Sequence, residues 1–158
     1  MTAAAGVPGD ILSRAAEETL QRLCGLTARP AGAGDGPADA AAEVQFWGAM
    51  RGKLMAQARG GLGREAALRL FGGRAPASRQ QQEALCLLVA AVCGAMLADA
   101  AAGRAYLMES PRIVDNIAGY EQLFGRPLAA ATLATAAGTL EVRYYANVMP
   151  ATGIQHEF

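Results

Sequence analysis

One run of fifteen residues, Ala84–Ala98, contains no charged, hydroxyl or amide side chain, and it constrains the fold more than any other feature. It lies within Ser78–Gly103, which has no proline and ends in glycine, so the sequence predicts a single long helix there. We expect Ser78 to be the N-cap, with Gln81 completing a capping box. Roughly 18–20 apolar residues are needed to span a bilayer. The run therefore predicts a helix buried on most sides and not a membrane span.

The composition is that of a globular protein. The chain has 158 residues, of which 53% are hydrophobic and 18% are charged, and this favours one domain with a sizeable core. Fourteen basic and fourteen acidic residues cancel, which argues against nucleic acid as the main partner. We expect a flexible N-terminus over residues 1–9, a folded domain over 10–149 and a tail over 150–158. Met1–Asp10 lacks the features of a secretory signal. The three cysteines are odd in number and lack metal-ligand spacing, so free thiols and a cytoplasmic location are expected.

The remaining elements predict an α+β fold, with a mainly antiparallel sheet and helices on one face. Helices come early and antiparallel strands come late, and Leu140, Val142 and Tyr144 alternate with polar residues on the last strand. We expect one face of the sheet, carrying either these three residues or their alternates, to meet the long helix. The predicted elements are a helix over Asp10–Gly25, a hairpin of Glu43–Met50 and Gly52–Arg59, a helix over Leu62–Phe71, and strands over Ala105–Glu109, Ile113–Asp115, Leu128–Ala136 and Thr139–Val148.

Few residues carry the chemistry of a metal or hydrolase site. Cys86 and Cys93 share a helical face among Leu, Val and Ala, which predicts buried structural thiols. His156 is the only histidine and lies near the end of the chain, so no histidine-based hydrolase is expected. We predict no metal and no cofactor.

A basic stretch runs from Arg51 to Arg79. It holds seven Arg or Lys residues against the single acid Glu65. The stretch is either a solvated face or a docking patch for an acidic protein surface. Nucleic acid fits less well, because no aromatic residue lies among the arginines after Trp47 until Phe71.

The order and spacing of these segments resemble the CheX/CheC/FliY family of chemotaxis phosphatases, and most closely the short, single-site CheX type. The resemblance covers about residues 10–149. It rests on Leu23–Leu26, the hairpin Val44–Ala58, the helix Arg64–Gly72, the helix end Cys93–Leu97, the segment Glu109–Val114 and the strand start Gly138–Val142.

The resemblance implies which positions would form the site. The family's active helix is similar to Asp/Ser-x3-Glu-x2-Asn, followed by a proline further along the chain. Glu83, Leu87, Ala90 and Pro111 occupy these positions, and the three helical ones lie at i, i+4 and i+7 on one face. In the family the Asn orients a water that attacks a phosphorylated aspartate on a response-regulator receiver, while the acid engages the receiver's own site. Here the acid and amide positions are apolar.

Three functions follow from these observations. Because losing one well-placed donor costs on the order of 10²–10³ in rate, the leading hypothesis is a non-catalytic CheX-like signalling module, a homodimer, that binds a receiver or acts as a scaffold. The second is a working aspartyl-phosphate phosphatase that uses other residues. The third is an unrelated oligomerisation module on the same fold.

Overall fold

An antiparallel sheet forms the centre of the computed structural model, which describes residues 9–32, 37–101 and 103–146. The strands are β1 (Arg29–Pro30), β2 (Ala40–Gly48), β3 (Gly52–Arg59), β4 (Tyr106–Met108), β5 (Arg112–Ile113), β6 (Ala129–Thr135) and β7 (Gly138–Tyr145). Among the described residues their order is β1-β6-β7-β3-β2-β4, and β5 also pairs with β2. The predicted hairpin, β2–β3, and the predicted β6–β7 pair are both present.

Three helices cover one face of this sheet: α1 (Gly9–Thr19), α2 (Leu62–Phe71) and α3 (Ser78–Ala100). α3 contacts α1, α2, β2 and β3, so it is the central helix of this layer. α1 continues into a π-helical turn, Leu20–Cys24, and the helix ends at Gly25, as predicted, in a left-handed conformation with φ of 65°. The α+β class with helices on a mainly antiparallel sheet is confirmed.

Alternation along the strands decides which side chains meet the helices. Leu140, Val142 and Tyr144 of β7 lie in the core on the helical face, which decides between the two sets of alternating residues that the sequence leaves open. The same face receives alternate residues of the central hairpin, namely Ala42, Val44, Phe46, Leu54, Ala56 and Ala58. Burying a Val or Leu side chain stabilises a fold by about 1.5–3 kcal/mol. The alternation of apolar residues along these strands therefore determines which face of the sheet packs against α3.

The start of α3 differs from the sequence prediction. Ala77, not Ser78, is the N-cap residue, and the side-chain oxygen of Gln80 accepts the N–H of Ala77 at 3.1 Å. The predicted capping box of Ser78 and Gln81 is therefore wrong by one residue. Pro76 immediately precedes an extended Ala77 (ψ 161°), and the amide of Gln81 instead donates to the carbonyl of Pro76 at 3.3 Å. The last helical residue is Ala100, earlier than the predicted Gly103.

Two short elements were not predicted. β1 pairs with β6, and its two residues are too few to show the alternation of a strand. α4 (Tyr120–Phe124) lies between Gly119 and Gly125 and is too short to show a helical period. Its Tyr120 packs with Met55 and Tyr145 on the face of the sheet opposite the long helices, so part of that second face is covered as well. The predicted end of the last strand at Val148, the tail 150–158 and residues 1–8 lie outside the described residues.

By length and composition alone α3 could cross a membrane. In the structure eight of its residues, from Ala84 to Leu97, are buried inside the protein. The core helix of a soluble protein can be equally long and apolar. Its packing on the sheet is that of a core helix.

Candidate functional site

The predicted site positions lie along one side of α3. Glu83 is exposed and pairs with Arg79 one turn earlier, at 3.7 Å. Leu87 exposes 47% of its surface, although it is a large apolar residue, and Ala90 is half-buried. The neighbouring positions Leu88 and Val89 are buried in the core. The side of α3 that carries the family's acid and amide positions therefore faces away from the sheet.

Pro111, the fourth position, is half-buried in the connection between β4 and β5. It directly precedes β5, and β5 contacts α3. Ile113 of β5 also packs against the core that α3 lines. The fold thus brings the Pro111 segment to α3 across a long stretch of sequence.

The side chains at these positions limit the chemistry. Leu87 and Ala90 have neither donor nor acceptor, so they cannot orient a water or hold a metal-bound phosphoryl group. Glu83 is the only acid among the three helical positions, and its carboxylate is solvated and paired with Arg79. An exposed apolar residue beside a carboxylate is suited to contact with another protein surface. The described residues contain no group of three or more His, Cys, Asp or Glu that could hold a metal ion.

The basic stretch does not form one patch. Lys53 and Arg59 lie on β3 and pair with Glu43 and Glu141. Arg69 and Arg79 pair with acids one turn away on α2 and α3, respectively. Residues that are close in sequence are thus distributed over both faces of the sheet and are paired with acids, which argues against a single docking patch.

A cluster of charged and aromatic residues on the second face of the sheet was missed by the sequence analysis. Glu43 of β2 is its centre. The carboxylate accepts hydrogen bonds from Lys53 Nζ at 2.9 Å, Arg112 Nε at 2.8 Å and Tyr120 Oη at 2.5 Å. Lys53 has no exposed surface, and its Nζ also lies 3.6 Å from the ring centre of Phe124. The members are far apart in sequence, and the one available signal is that Lys53 is the only lysine of the chain.

The hydrogen bonds of this cluster set its protonation. Burial raises the pKa of Glu43, but hydrogen bonds from Tyr120, Lys53 and Arg112 outweigh it and hold that pKa below its usual value. Burial lowers the pKa of Lys53, which the ion pair with Glu43 partly opposes. Burial and the hydrogen bond to Glu43 both raise the pKa of Tyr120. Tyr120 is therefore a neutral donor and Glu43 an ionised acceptor.

The cysteines lie in the core layer. Cys93 is fully buried, and burial raises its pKa to about 12, so its thiol is inert at neutral pH. Cys86 is half-buried, which is less than predicted, and burial raises its pKa as well. His156 lies outside the described residues.

Solved structures of other proteins have a similar fold, whereas sequence comparisons find no match. No protein-family model matches the sequence, and no curated protein sequence matches it. Solved structures do match. CheX from Vibrio vulnificus has a TM-score of 0.69 at 14% identity, covering 92% of this chain and 99% of that chain. A chain of the CheX-CheY-BeF3-Mg²⁺ complex from Borrelia burgdorferi has a TM-score of 0.63 at 12% identity, covering 89% and 98%. FliY from Thermotoga maritima has a TM-score of 0.54 at 11% identity, covering 86% and 87%.

The likeness extends over nearly the whole of each protein. Between 86% and 92% of this chain is covered by these three structures. TM-scores of 0.54–0.69 at identities of 11–14% establish a shared fold, and a shared fold does not by itself imply a shared site. The chain therefore has the α+β fold of the CheX, CheC-like and FliY chemotaxis proteins.

Proposed function

We propose that this chain is a cytoplasmic CheX-like signalling domain that binds a response-regulator receiver without dephosphorylating it. One observation carries the proposal: Leu87, 47% exposed, stands at the position where the resemblance places the catalytic acid. The fold supports the kind of partner, because a similar structure is a CheX-CheY complex. The side chains of Leu87 and Ala90 argue against the reaction, since hydrolysis of an aspartyl phosphate depends on a positioned water.

The proposed interface is the exposed side of α3 around Leu87. A large apolar residue at the centre of a contact, with Glu83 and Arg79 at its rim, has the pattern of a protein-binding surface. A receiver bound there would gain from burying Leu87. It would find no acid or amide at positions 87 and 90 to attack its phosphoryl group.

A homodimer is part of the proposal. Large apolar side chains other than Leu87 are also exposed in the described part of the chain, namely Phe71, Leu107, Met108 and Leu128, with Leu107 at 73%. Covering such residues favours self-association. Light scattering at micromolar concentration should give twice the chain mass, and a monomer mass would remove the dimer from the proposal.

A binding titration tests the function. Candidate receivers are titrated with and without beryllofluoride and Mg²⁺ as the acyl-phosphate mimic, against wild type, Leu87→Arg and Leu128→Arg. Leu128 is a matched control, because it is also an exposed leucine (51%) but precedes β6 instead of lying on α3. We expect Leu87→Arg to weaken binding by about tenfold or more, as for a central interface residue, and Leu128→Arg to leave it unchanged.

Two results would favour the other functions. Turnover of a phosphorylated receiver well above its own hydrolysis, undiminished by Leu87→Arg, would show a working phosphatase that uses other residues. Absence of binding to every receiver, with a dimer that persists at nanomolar concentration, would favour the oligomerisation module.

A further inference from the structure

The segment from Arg112 to Gly125, which we call the strap, crosses the face of the sheet opposite the long helices. It consists of β5, a turn and α4. Tyr120 is its most buried residue, at 3% exposed, and packs with Met55 and Tyr145 of the sheet. Val114, Ile117 and Phe124 of the strap pack against the same small cluster.

A buried ion pair lies under the strap. Lys53 of β3 has no exposed surface and bonds Glu43 of β2 at 2.9 Å. The ring of Phe124 covers the lysine Nζ at 3.6 Å, and the ring of Tyr120 lies 5.5 Å from it. The floor beneath the strap is thus partly charged, in contrast to the apolar floor beneath α3.

The strap is held at few points. Arg112 and Tyr120 bond the two oxygens of Glu43, at 2.8 and 2.5 Å. The N–H of Val114 donates to the carbonyl of Ala41 at 2.9 Å, and β5 itself pairs with β2 over only two residues. The other backbone bonds of α4 lie within the strap, such as Gly125 N–H to the Glu121 carbonyl.

The ion pair of Lys53 and Glu43 beneath the strap lowers the free energy needed to lift the strap from the sheet. Lifting a segment from an apolar core exposes that core to water. Lifting the strap instead returns Lys53 and Glu43 to water, which compensates much of the interaction that is lost. The uncompensated loss comes from the contacts of Val114, Ile117, Tyr120 and Phe124 on this face and from Ile113, which packs against the core that α3 lines. Segments with few buried apolar contacts open locally before the whole protein unfolds.

We propose that the strap is a lid that opens as a unit while the sheet and α3 stay folded, and that opening exposes the amine of Lys53. Glu43 is its latch, because one carboxylate joins β2 to the first residue of the strap, Arg112, and to the first residue of α4, Tyr120. Opening also detaches β5, which contacts α3. The proposal stands whether or not a receiver binds α3.

Lys53 is a natural reporter, because it is the only lysine of the chain. An amine-reactive succinimidyl ester is added to the folded protein, and the peptide that contains Lys53 is quantified by mass spectrometry over time and over low urea concentrations. The α-amino group serves as the internal standard for reagent activity. Hydrogen exchange is followed in parallel for the amides of Val114, Leu123 and Gly125, with β3 and β7 as the reference.

Tyr120→Phe tests the latch, because it removes one hydroxyl and keeps the ring. Tyr144→Phe is the matched control, since its hydroxyl donates to the Arg51 carbonyl at 3.1 Å on the helical face. We expect Tyr120→Phe to accelerate both Lys53 labelling and strap exchange by about tenfold or more, as for a hydrogen bond to a charged group. Hydrogen exchange within β3 and β7 should change much less. In Tyr144→Phe, exchange in the strap should not accelerate more than exchange in the sheet.

The urea dependence separates local from global opening. Labelling through the lid should be nearly independent of low urea, because local opening exposes little surface. The proposal is overturned if Lys53 labelling and strap exchange rise with urea as steeply as global unfolding, or if the two tyrosine variants accelerate the strap equally. The exchange measurement also excludes the case in which Tyr120→Phe alters only the reactivity of the amine.

Discussion

Lys53 and Glu43 are diagonal neighbours across the central hairpin, and their charged atoms lie 2.9 Å apart with the lysine fully buried. Lys53 is opposite Gln45 in the register and Glu43 is opposite Met55, so the pair spans two steps of the ladder. Arg112 and Tyr120 add two further donors to the same carboxylate. Three donors make this a buried pair whose charges are both compensated.

Glu43→Gln should destabilise the protein by about 3–5 kcal/mol, because it leaves the buried ammonium of Lys53 without a carboxylate. Urea unfolding followed by circular dichroism measures the change. Glu83→Gln is the control for charge removal: its pair with Arg79 is exposed at 3.7 Å, so we expect a change of about 0.5 kcal/mol or less.

The origin of this loss can be separated by a second variant. Glu43→Gln combined with Lys53→Met removes both charges and should recover a large part of the stability. Equal losses in the single and double variants would show that the unpaired lysine is not the cause.

Acid should weaken the fold through the same carboxylate. Burial raises the pKa of Glu43, but its three hydrogen bonds hold the pKa below the ordinary value of 4.5. Burial also raises the pKa of Glu141, and the hydrogen bonds from Arg143 and Arg59 hold that pKa below the same value. A lowered folded pKa means that the unfolded chain binds more protons as the pH falls. The stability from these groups is therefore complete above about pH 5 and is lost as the pH falls through 4.5 towards the folded pKa values.

Urea midpoints measured from about pH 7 to about pH 3 check this dependence. Glu141→Gln should lose less stability than wild type over the acid range, because one of the two linked groups has been removed. A wild-type midpoint that stays constant down to about pH 3 would contradict the prediction.

Gly94→Ala should stabilise the protein by about 1 kcal/mol, the helix-interior difference between the two residues. Gly94 lies inside α3, and a Cβ added there meets nothing within 4 Å. Thermal or urea unfolding measures the gain. Gly138→Ala is the opposite control and should destabilise, because Gly138 has φ of 148° and an added Cβ would collide with the carbonyl oxygen of Arg59. A loss of stability in Gly94→Ala would mean that the exposed side of α3 is covered in solution.

Leu87→Glu with Ala90→Asn should fold with a stability within about 1 kcal/mol of wild type, since surface substitutions cost little. Leu87 is 47% exposed and Ala90 half-buried, so an acid and an amide can be added about one turn apart without burying an unpaired charge. We expect weak dephosphorylation of a receiver that the wild type binds but does not hydrolyse. Leu88→Glu on the buried side of α3 is the control and should lose several kcal/mol.

Phosphate release from a phosphorylated receiver measures the gain. A double variant that fails to fold would show that this side of α3 is buried by an assembly. Full activity already present in the wild type would move the site away from these positions.

Much of the layout could be read from local patterns. The helix Leu62–Phe71 was predicted at its observed bounds, because apolar residues at helical spacing end in Gly72–Gly73. The alternation of apolar and polar residues along β7 was predicted as well, since a local pattern is enough for it, but which of the two sets faces the helices was left open. The short α4 could not be predicted, because five residues are too few to show helical periodicity. The start of α3 was misplaced by one residue, because Ser78 and Gln81 match the residue types and spacing of a capping box.

By itself the sequence determined the fold class, the central apolar helix and the apolar character of Leu87 and Ala90, because periodicity and residue type are local properties of a chain. Only the tertiary structure decided that Leu87 faces outward while Leu88 is buried, and that Glu43, Lys53, Arg112 and Tyr120 meet under the strap. Those four residues span 77 positions of sequence. Their contact depends on strand pairing and on the path of the strap across the sheet, which no local pattern encodes.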